Sequence, residues 1–289
     1  MELIGIKDFE SVSSFFKGAK GQRRAENIMR MCAVDKLNQV YDRSSDYTGT
    51  EFTARFLDDL GVNCVIGNAE RLNILPEGAF ITVSNHPYGM LDGITLIDLM
   101  AGIRPDYRFM VNQVLSRVKT MEKNFILVTP TGKEYQGVTS ASIQGIRRTK
   151  ALLEQGHPVG FFPAGAVSDF SFKDFRIRDR KWQASVLHLI HSAKVPILPI
   201  RLFDTNSPFF YFLGVINWRI RMLRQPSELF NKRKKKIRIG IGNLISVQEQ
   251  EQFTDPEALG AFLRKVVYDM PKAASFTPRS LLNYPEKPL

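Results

Sequence analysis

Ala79-Phe80-Ile81-Thr82-Val83-Ser84-Asn85-His86-Pro87-Tyr88-Gly89-Met90-Leu91-Asp92-Gly93 is the stretch on which the reading of this chain turns. Ala79 to Val83 is a short apolar run, and it reads as a buried strand. Ile94 to Met100 reads as the helix that follows. His86 then leaves the end of a strand, and Asp92 falls in or near the first helical turn. Such a strand-turn-helix brings a base and its orienting acid together. A histidine held by a carboxylate takes a proton from a hydroxyl near neutral pH. The competing reading is a plain turn, in which His86 bonds locally and Asp92 caps the helix.

Outward from this turn, strands and helices alternate. Upstream, Arg24 to Tyr41 carries Ile28, Met31, Cys32, Leu37 and Val40 at helical spacing. Thr50 to Leu60 is a second helix ended by Gly61, and Asn63 to Ile66 is a short strand. Downstream, Tyr107 to Val111, Phe125 to Val128, Val159 to Phe162, Val195 to Leu202 and Ile237 to Ile241 read as strands. Ser140 to Gln155, Gln183 to Ala193 and Pro256 to Tyr268 read as helices. The alternation predicts an α/β fold with a largely parallel sheet flanked by helices. Three parts are expected: an N-terminal helical layer over 1–60, an α/β core over 61–270, and an irregular tail over 271–289 holding four prolines.

The chain has 289 residues, 44% hydrophobic and 24% charged, which suits one large globular domain and excludes wholesale disorder. Cys32 and Cys64 stand far apart and form no metal or redox spacing, so a reducing environment is expected. Met1 to Asp8 carries charge early, without the apolar core of a signal peptide. No run reaches the ~20 apolar residues of a transmembrane helix. The nearest, Pro208 to Trp218, is short and unusually aromatic, and reads either as a buried strand or as a membrane contact. The net charge of +11 is uneven: Arg219 to Arg238 holds nine basic residues and one acid, Glu228. An aromatic run beside a basic cluster suits an anionic bilayer, where each cation contributes about 1 kcal/mol. The bland alternative is a solvated loop with Lys232 to Lys236 at its tip. No motif of the kinds that read bases is present, so no specific nucleic-acid partner is expected.

Three motifs follow in order: Asn85-His86-Pro87 through Asp92, then Phe161-Phe162-Pro163-Ala164-Gly165, then Val195-Pro196-Ile197-Leu198-Pro199-Ile200. Over residues 60 to 245 they resemble the glycerophospholipid (lysophospholipid) acyltransferase superfamily. In that family an H-x4-D block supplies the catalytic pair, F-P-E-G-x-x-S shapes the acceptor site, and V-P-[IV]-x-P ends the core. Two departures stand out. His86 and Asp92 are one residue further apart than usual, a form similar to the hemolysin-like or ornithine/glycine-lipid O-acyltransferase branch. Ala164 replaces the usual acid, and Val167 stands where a phosphate-binding arginine often lies.

The resemblance implies an acyltransferase-type core with His86 and Asp92 as catalytic residues. It implies an acceptor site drawn from Ser84, Asn85, Gly89, Phe162, Pro163, Gly165 and Ser168. Lys133, Arg176 and Arg178 are candidate substitutes for the missing arginine. His86 would act as general base on the acceptor hydroxyl, with Asp92 fixing its tautomer. Backbone N–H groups of the Gly165 turn, or of the helix after Gly89, are candidate oxyanion donors. No G-x-S-x-G elbow is present, and Ser84 and Ser168 are not read as nucleophiles. His188 and His191 lack a third ligand, so no metal is expected. No bound cofactor is expected either. The donor implied is an acyl carrier protein or coenzyme A thioester, and the acceptor a lyso-lipid, preferably an amino-acid lipid without phosphate. The expected place is peripheral, on the cytoplasmic face of a membrane with an anionic surface. The alternatives are a phosphatidate-forming 1-acylglycerol-3-phosphate acyltransferase, and a lipid hydrolase or thioesterase whose His86–Asp92 pair activates water.

Overall fold

A computed structural model describes residues 3–129 and 140–282. Eight strands form one twisted sheet: β1 (Asn63–Gly67), β2 (Ile81–Ser84), β3 (Arg108–Asn112), β4 (Phe125–Val128), β5 (Val159–Phe161), β8 (Ile197–Leu202), β9 (Lys236–Ile241) and β10 (Phe276–Pro278). Two more, β6 (Asp169–Ser171) and β7 (Arg176–Arg178), pair as a separate hairpin. The sheet order is β10-β1-β9-β8-β2-β5-β3-β4. β8, β2, β5, β3 and β4 are mutually parallel, β9 is antiparallel to β8, and β1 runs parallel to β9.

Both faces of the sheet are covered, as a parallel sheet requires. One face meets the helices Gly49–Leu60 and Met90–Ile103 through Phe52, Phe56, Leu57, Leu96, Ile97 and Met100. The other meets helices Ala184–Ala193 and Pro256–Asp269 through Leu187, Ile190, Leu259 and Leu263. Thr82 shows the alternation within β2. Its hydroxyl bonds the Tyr107 phenol at 2.7 Å, while Ile81 and Val83 pack in the opposite layer.

Two boundaries differ from the sequence reading. The helical stretch from Arg24 to Tyr41 is two helices, Gly18–Met31 and Val34–Ser44, broken where Ala33 takes φ 58°. The break lets the first helix pack Ala25 and Met29 with Phe9 in a small cluster of its own, while Leu37, Val40 and Tyr41 join the main core. The tail expected to be irregular contributes β10, antiparallel to β1 with Val65 opposite Pro278. Proline suits that position because an edge strand needs no further N–H donor. Arg279 then anchors the end on Asp98 at 3.0 Å.

The register positions the site. Val83 pairs with Phe161 of β5 and with Pro199 of β8, so these strands end together. The segments after Ser84, Phe161 and Leu202 leave the same edge of the sheet, beyond the carboxyl ends of the strands. That is the usual place for a ligand in an open α/β sheet. Asn85 closes the seam: its Nδ2 donates to the Leu202 carbonyl at 2.9 Å, and its Oδ1 accepts from the Leu202 N–H at 2.8 Å.

Candidate active site

The turn from β2 into helix Met90–Ile103 brings His86 Nδ1 to 2.8 Å from Asp92 Oδ2. Asp92 is the third residue of that helix, and the same oxygen accepts the N–H groups of Tyr88 at 2.8 Å and Gly89 at 2.9 Å. Asp92 therefore caps the helix and orients the imidazole at once, so the local bonding of the bland reading and the His–Asp contact of the chemical one occur together. The turn needs Gly89, which sits at φ 82° and ψ −117°. A Cβ there would also lie 2.5 Å from the Gln225 amide.

Asp92 is fully buried, and its second oxygen has no hydrogen-bond partner among the described residues. Burial pushes its carboxyl above the ordinary range. The His86 hydrogen bond and charge, and the Gly89 and Tyr88 N–H groups, pull it back only in part. With Nδ1 held by Asp92, Nε2 is the ring nitrogen able to accept a proton. Phe162 stacks on the imidazole at 3.9 Å between centroids and 12° between planes. The ring thus has one polar edge fixed and one face covered.

The Phe162–Ser168 segment wraps the same turn. The Ser168 N–H donates to the His86 carbonyl at 2.8 Å, and the His86 N–H donates to Asp179 Oδ1 at 3.1 Å. Asp179 also accepts from Ser168 Oγ at 2.6 Å and from Trp182 Nε1 at 3.3 Å. Arg221 is buried and donates to the Ser168 carbonyl at 3.1 Å while pairing with Asp169. From the other side, the Tyr211 hydroxyl donates to the Pro87 carbonyl at 2.8 Å.

A family model described as Acyltransferase matches residues 25–275. The chain belongs to the acyltransferase family. This acyltransferase is 25% identical over 251 residues to a lyso-glycine lipid O-acyltransferase of Bacteroides thetaiotaomicron, covering 84% of this chain and 88% of the relative. It is 25% identical over 244 residues to a protein of the same name from Phocaeicola vulgatus, covering 82% and 83%. A solved 1-acyl-sn-glycerophosphate acyltransferase, PlsC of Thermotoga maritima, is similar at 17% identity and a TM-score of 0.49, covering 76% and 75%.

Several expected acceptor-site residues of this acyltransferase are bonded inward instead. Ser84 Oγ donates to the Asn85 carbonyl at 2.9 Å, and Asn85 is committed to β8, so both close the seam. Ser168 spends its hydroxyl on Asp179. Two backbone donors in the segments expected to supply the oxyanion site are in use: the Gly165 N–H bonds the Phe162 carbonyl at 2.9 Å, and the Gly89 N–H bonds Asp92. Gly165 takes φ 65°, and a Cβ there would collide with the Gln183 amide, so its role is to make the turn. Pro163, buried, accepts the Gln183 N–H at its carbonyl.

The expected substitute cations are not gathered at the pair. Arg178 pairs with Asp174 at 2.9 Å, and Arg176 is exposed. Strand alternation puts both on the hairpin face away from Phe170 and Ile177, which pack toward Val167. Lys133 lies outside the described residues. Ala164 and Val167 are both buried in apolar clusters. Among the described residues no group of three His, Cys, Asp or Glu side chains is arranged to hold a metal ion. His191 instead bonds the Phe253 carbonyl at 3.0 Å.

Asp179, Tyr211 and Arg221 escaped the sequence reading. Asp179 sits in Arg178-Asp179-Arg180-Lys181-Trp182, where a charge run reads as surface, and no local signal marked it. Tyr211 was hidden in the aromatic run. That run is not a strand but a helix, Pro208–Ile216, followed by helix Trp218–Leu223.

Proposed function

We propose that this acyltransferase moves a fatty acyl group from an acyl thioester to the free hydroxyl of a lyso-lipid at a membrane surface. The observation that carries the reading is the 2.8 Å contact between His86 and a buried Asp92 at the mouth of the strand-to-helix turn. His86 Nε2 takes the hydroxyl proton as the oxygen attacks the thioester carbon. A C–O bond forms, the C–S bond breaks, and the leaving thiolate recovers the proton from the imidazolium. Asp92 stabilises that cation and holds the tautomer. A general base of this kind contributes about 10²–10⁴-fold. The donor we infer is an acyl carrier protein or coenzyme A thioester, both acidic partners suited to a net charge of +11.

The acceptor we infer is a lyso-amino-acid lipid such as a lyso-glycine lipid. Both curated relatives carry that name, and the apolar packing of Ala164 and Val167 offers no ion pair to a phosphate. Burying an unpaired phosphate is costly. Side-by-side turnover of lysophosphatidate and a mono-acylated amino-acid lipid, with one donor, tests this. Faster turnover of the amino-acid lipid is expected. Faster turnover of lysophosphatidate would return the chain to the phosphatidate-forming reading.

We infer a peripheral seat on the cytoplasmic side, where the buried free thiols of Cys32 and Cys64 stay reduced. No helix among the described residues is long and apolar enough to cross a membrane. The contact surface is the outer face of helices Pro208–Ile216 and Trp218–Leu223. Phe212 and Ile216 there are 57% and 60% exposed. Contiguous exposed apolar groups beside cations mark an interaction site, and a lipid acceptor makes a bilayer the fitting partner. The basic cluster contributes less than its count suggests. Lys232 is buried against Glu228 at 3.4 Å, Arg221 pairs with Asp169, and Arg238 with Asp204. Arg219 and the exposed run Arg233 to Lys236 remain to face anionic lipid.

A further inference from the structure

Helix Pro208–Ile216 is apolar on two sides. Its inner side buries Phe210 and Tyr211 against Val167, Phe170 and Ile177. Its outer side exposes Phe209, Phe212 and Ile216 at i, i+3 and i+7. The inner side is bonded to the catalytic turn at the residues just after His86. The Tyr211 hydroxyl donates to the Pro87 carbonyl at 2.8 Å. Asn206, just before the helix, donates Nδ2 to the Tyr88 carbonyl at 3.2 Å and its N–H to the Tyr211 hydroxyl at 3.4 Å. Arg221, in the next helix, holds the Ser168 carbonyl, and the Ser168 N–H holds the His86 carbonyl. Burial keeps the Tyr211 phenol protonated, so it remains a donor.

A helix seated by two buried side chains, with its other side in water, belongs to the low-stability end of a fold. A lipid surface that covers Phe209, Phe212 and Ile216 while Phe210 and Tyr211 keep their pocket favours the seated helix. Binding therefore shifts the population toward the seated state. We propose that Tyr211 is a positioning residue for acyl transfer: docking of helix Pro208–Ile216 on a lipid surface fixes the Pro87 carbonyl through the Tyr211 hydroxyl, and so fixes His86 against Asp92. This rests on the reading of the protein as an acyltransferase that works at a membrane surface.

Tyr211→Phe removes the hydroxyl and keeps the ring. The readout is turnover of a lyso-lipid acceptor in anionic phospholipid vesicles, divided by turnover of a monodisperse short-chain acceptor. In the wild type this ratio is expected to be about tenfold or more. In Tyr211→Phe it falls toward one, through kcat, while KM for the vesicle acceptor and sedimentation with vesicles stay at wild-type values. A wild-type ratio near one, or a ratio unchanged in Tyr211→Phe, overturns the proposal. A second measurement covers a variant that melts early. With only four histidines in the chain, the His86 ring resonances can be followed by NMR as bicelles are added. They shift in the wild type and not in Tyr211→Phe; equal shifts in both overturn the proposal. A wild-type protein that acylates neither acceptor refutes the function itself, and that failure is visible without any variant.

Discussion

The turn at Ser84–Asp92 and the helix pair at 208–223 lie against each other and are built on opposite terms. In the turn the polar groups are interlocked: Asp92 holds His86, Tyr88 and Gly89 on one oxygen, and Asn85 is bonded twice to β8. In the helix pair large apolar side chains stand in water, with only Phe210, Tyr211 and Arg221 buried. On the proposed function, rigid polar order would serve proton transfer, because the base must be aimed before the substrate arrives. On the same proposal, apolar surface left uncovered would serve docking, because its burial is withheld from folding and released at a membrane. The same contrast sets the order of expected effects.

The largest belongs to the turn. His86→Ala is expected to lower kcat about 10²–10⁴-fold in a protein that still folds, read by single-donor turnover and calorimetry. Asp92→Asn is expected to cost about 10²-fold or more in kcat, through loss of the tautomer. It should also raise the melting temperature at neutral pH. The sign follows from the raised carboxyl. A folded-state pKa above the unfolded value of about 3.9 stabilises below that value, and the gain is lost as pH rises through the folded pKa. At neutral pH the buried carboxylate is thus a cost that asparagine removes. Below pH ~3.9 the two proteins should melt alike. In the wild type, activity should fall as pH drops through the raised Asp92 pKa. A wild-type-like pH profile in Asp92→Asn would sever Asp92 from the chemistry.

The helix pair gives the middle effects. Phe212→Ala with Ile216→Ala is expected to weaken vesicle binding about tenfold or more, from two side chains worth about 1.5–3 kcal/mol each when fully buried. Unchanged sedimentation would make the outer face ordinary surface. The smallest effect is electrostatic. Changing Arg233, Lys234, Lys235 and Lys236 to glutamine is expected to weaken binding to anionic vesicles and to flatten its salt dependence. Lys232 is left out of that set because its ammonium already serves Glu228, and Lys232→Gln should instead show as lost stability.

Legibility in the sequence followed the same divide. The strand before His86, the helix after it, and the pairing of His86 with Asp92 were written in local pattern. A short apolar run, a glycine and an acid in the first helical turn suffice for that. The parallel core was legible for the same reason. What stayed hidden depends on contacts between distant segments. Asp179 is 93 residues from His86, and Tyr211 is 124 from Pro87. Their neighbours read as charged surface and as an aromatic run. The basic cluster was over-read because Asp169 and Asp204, which neutralise two of its members, lie elsewhere in the chain. β10 was missed because four prolines in the tail argue against strand, while an edge position tolerates one.

The most direct test of the central claim is product analysis with one acyl thioester and one mono-acylated amino-acid lipid in vesicles, comparing wild type with His86→Ala by mass spectrometry. The account predicts a diacylated lipid and one free thiol per ester formed with the wild type, and at least about a hundredfold less of both with His86→Ala. Equal product from His86→Ala, or thiol released without acylated lipid, would contradict it.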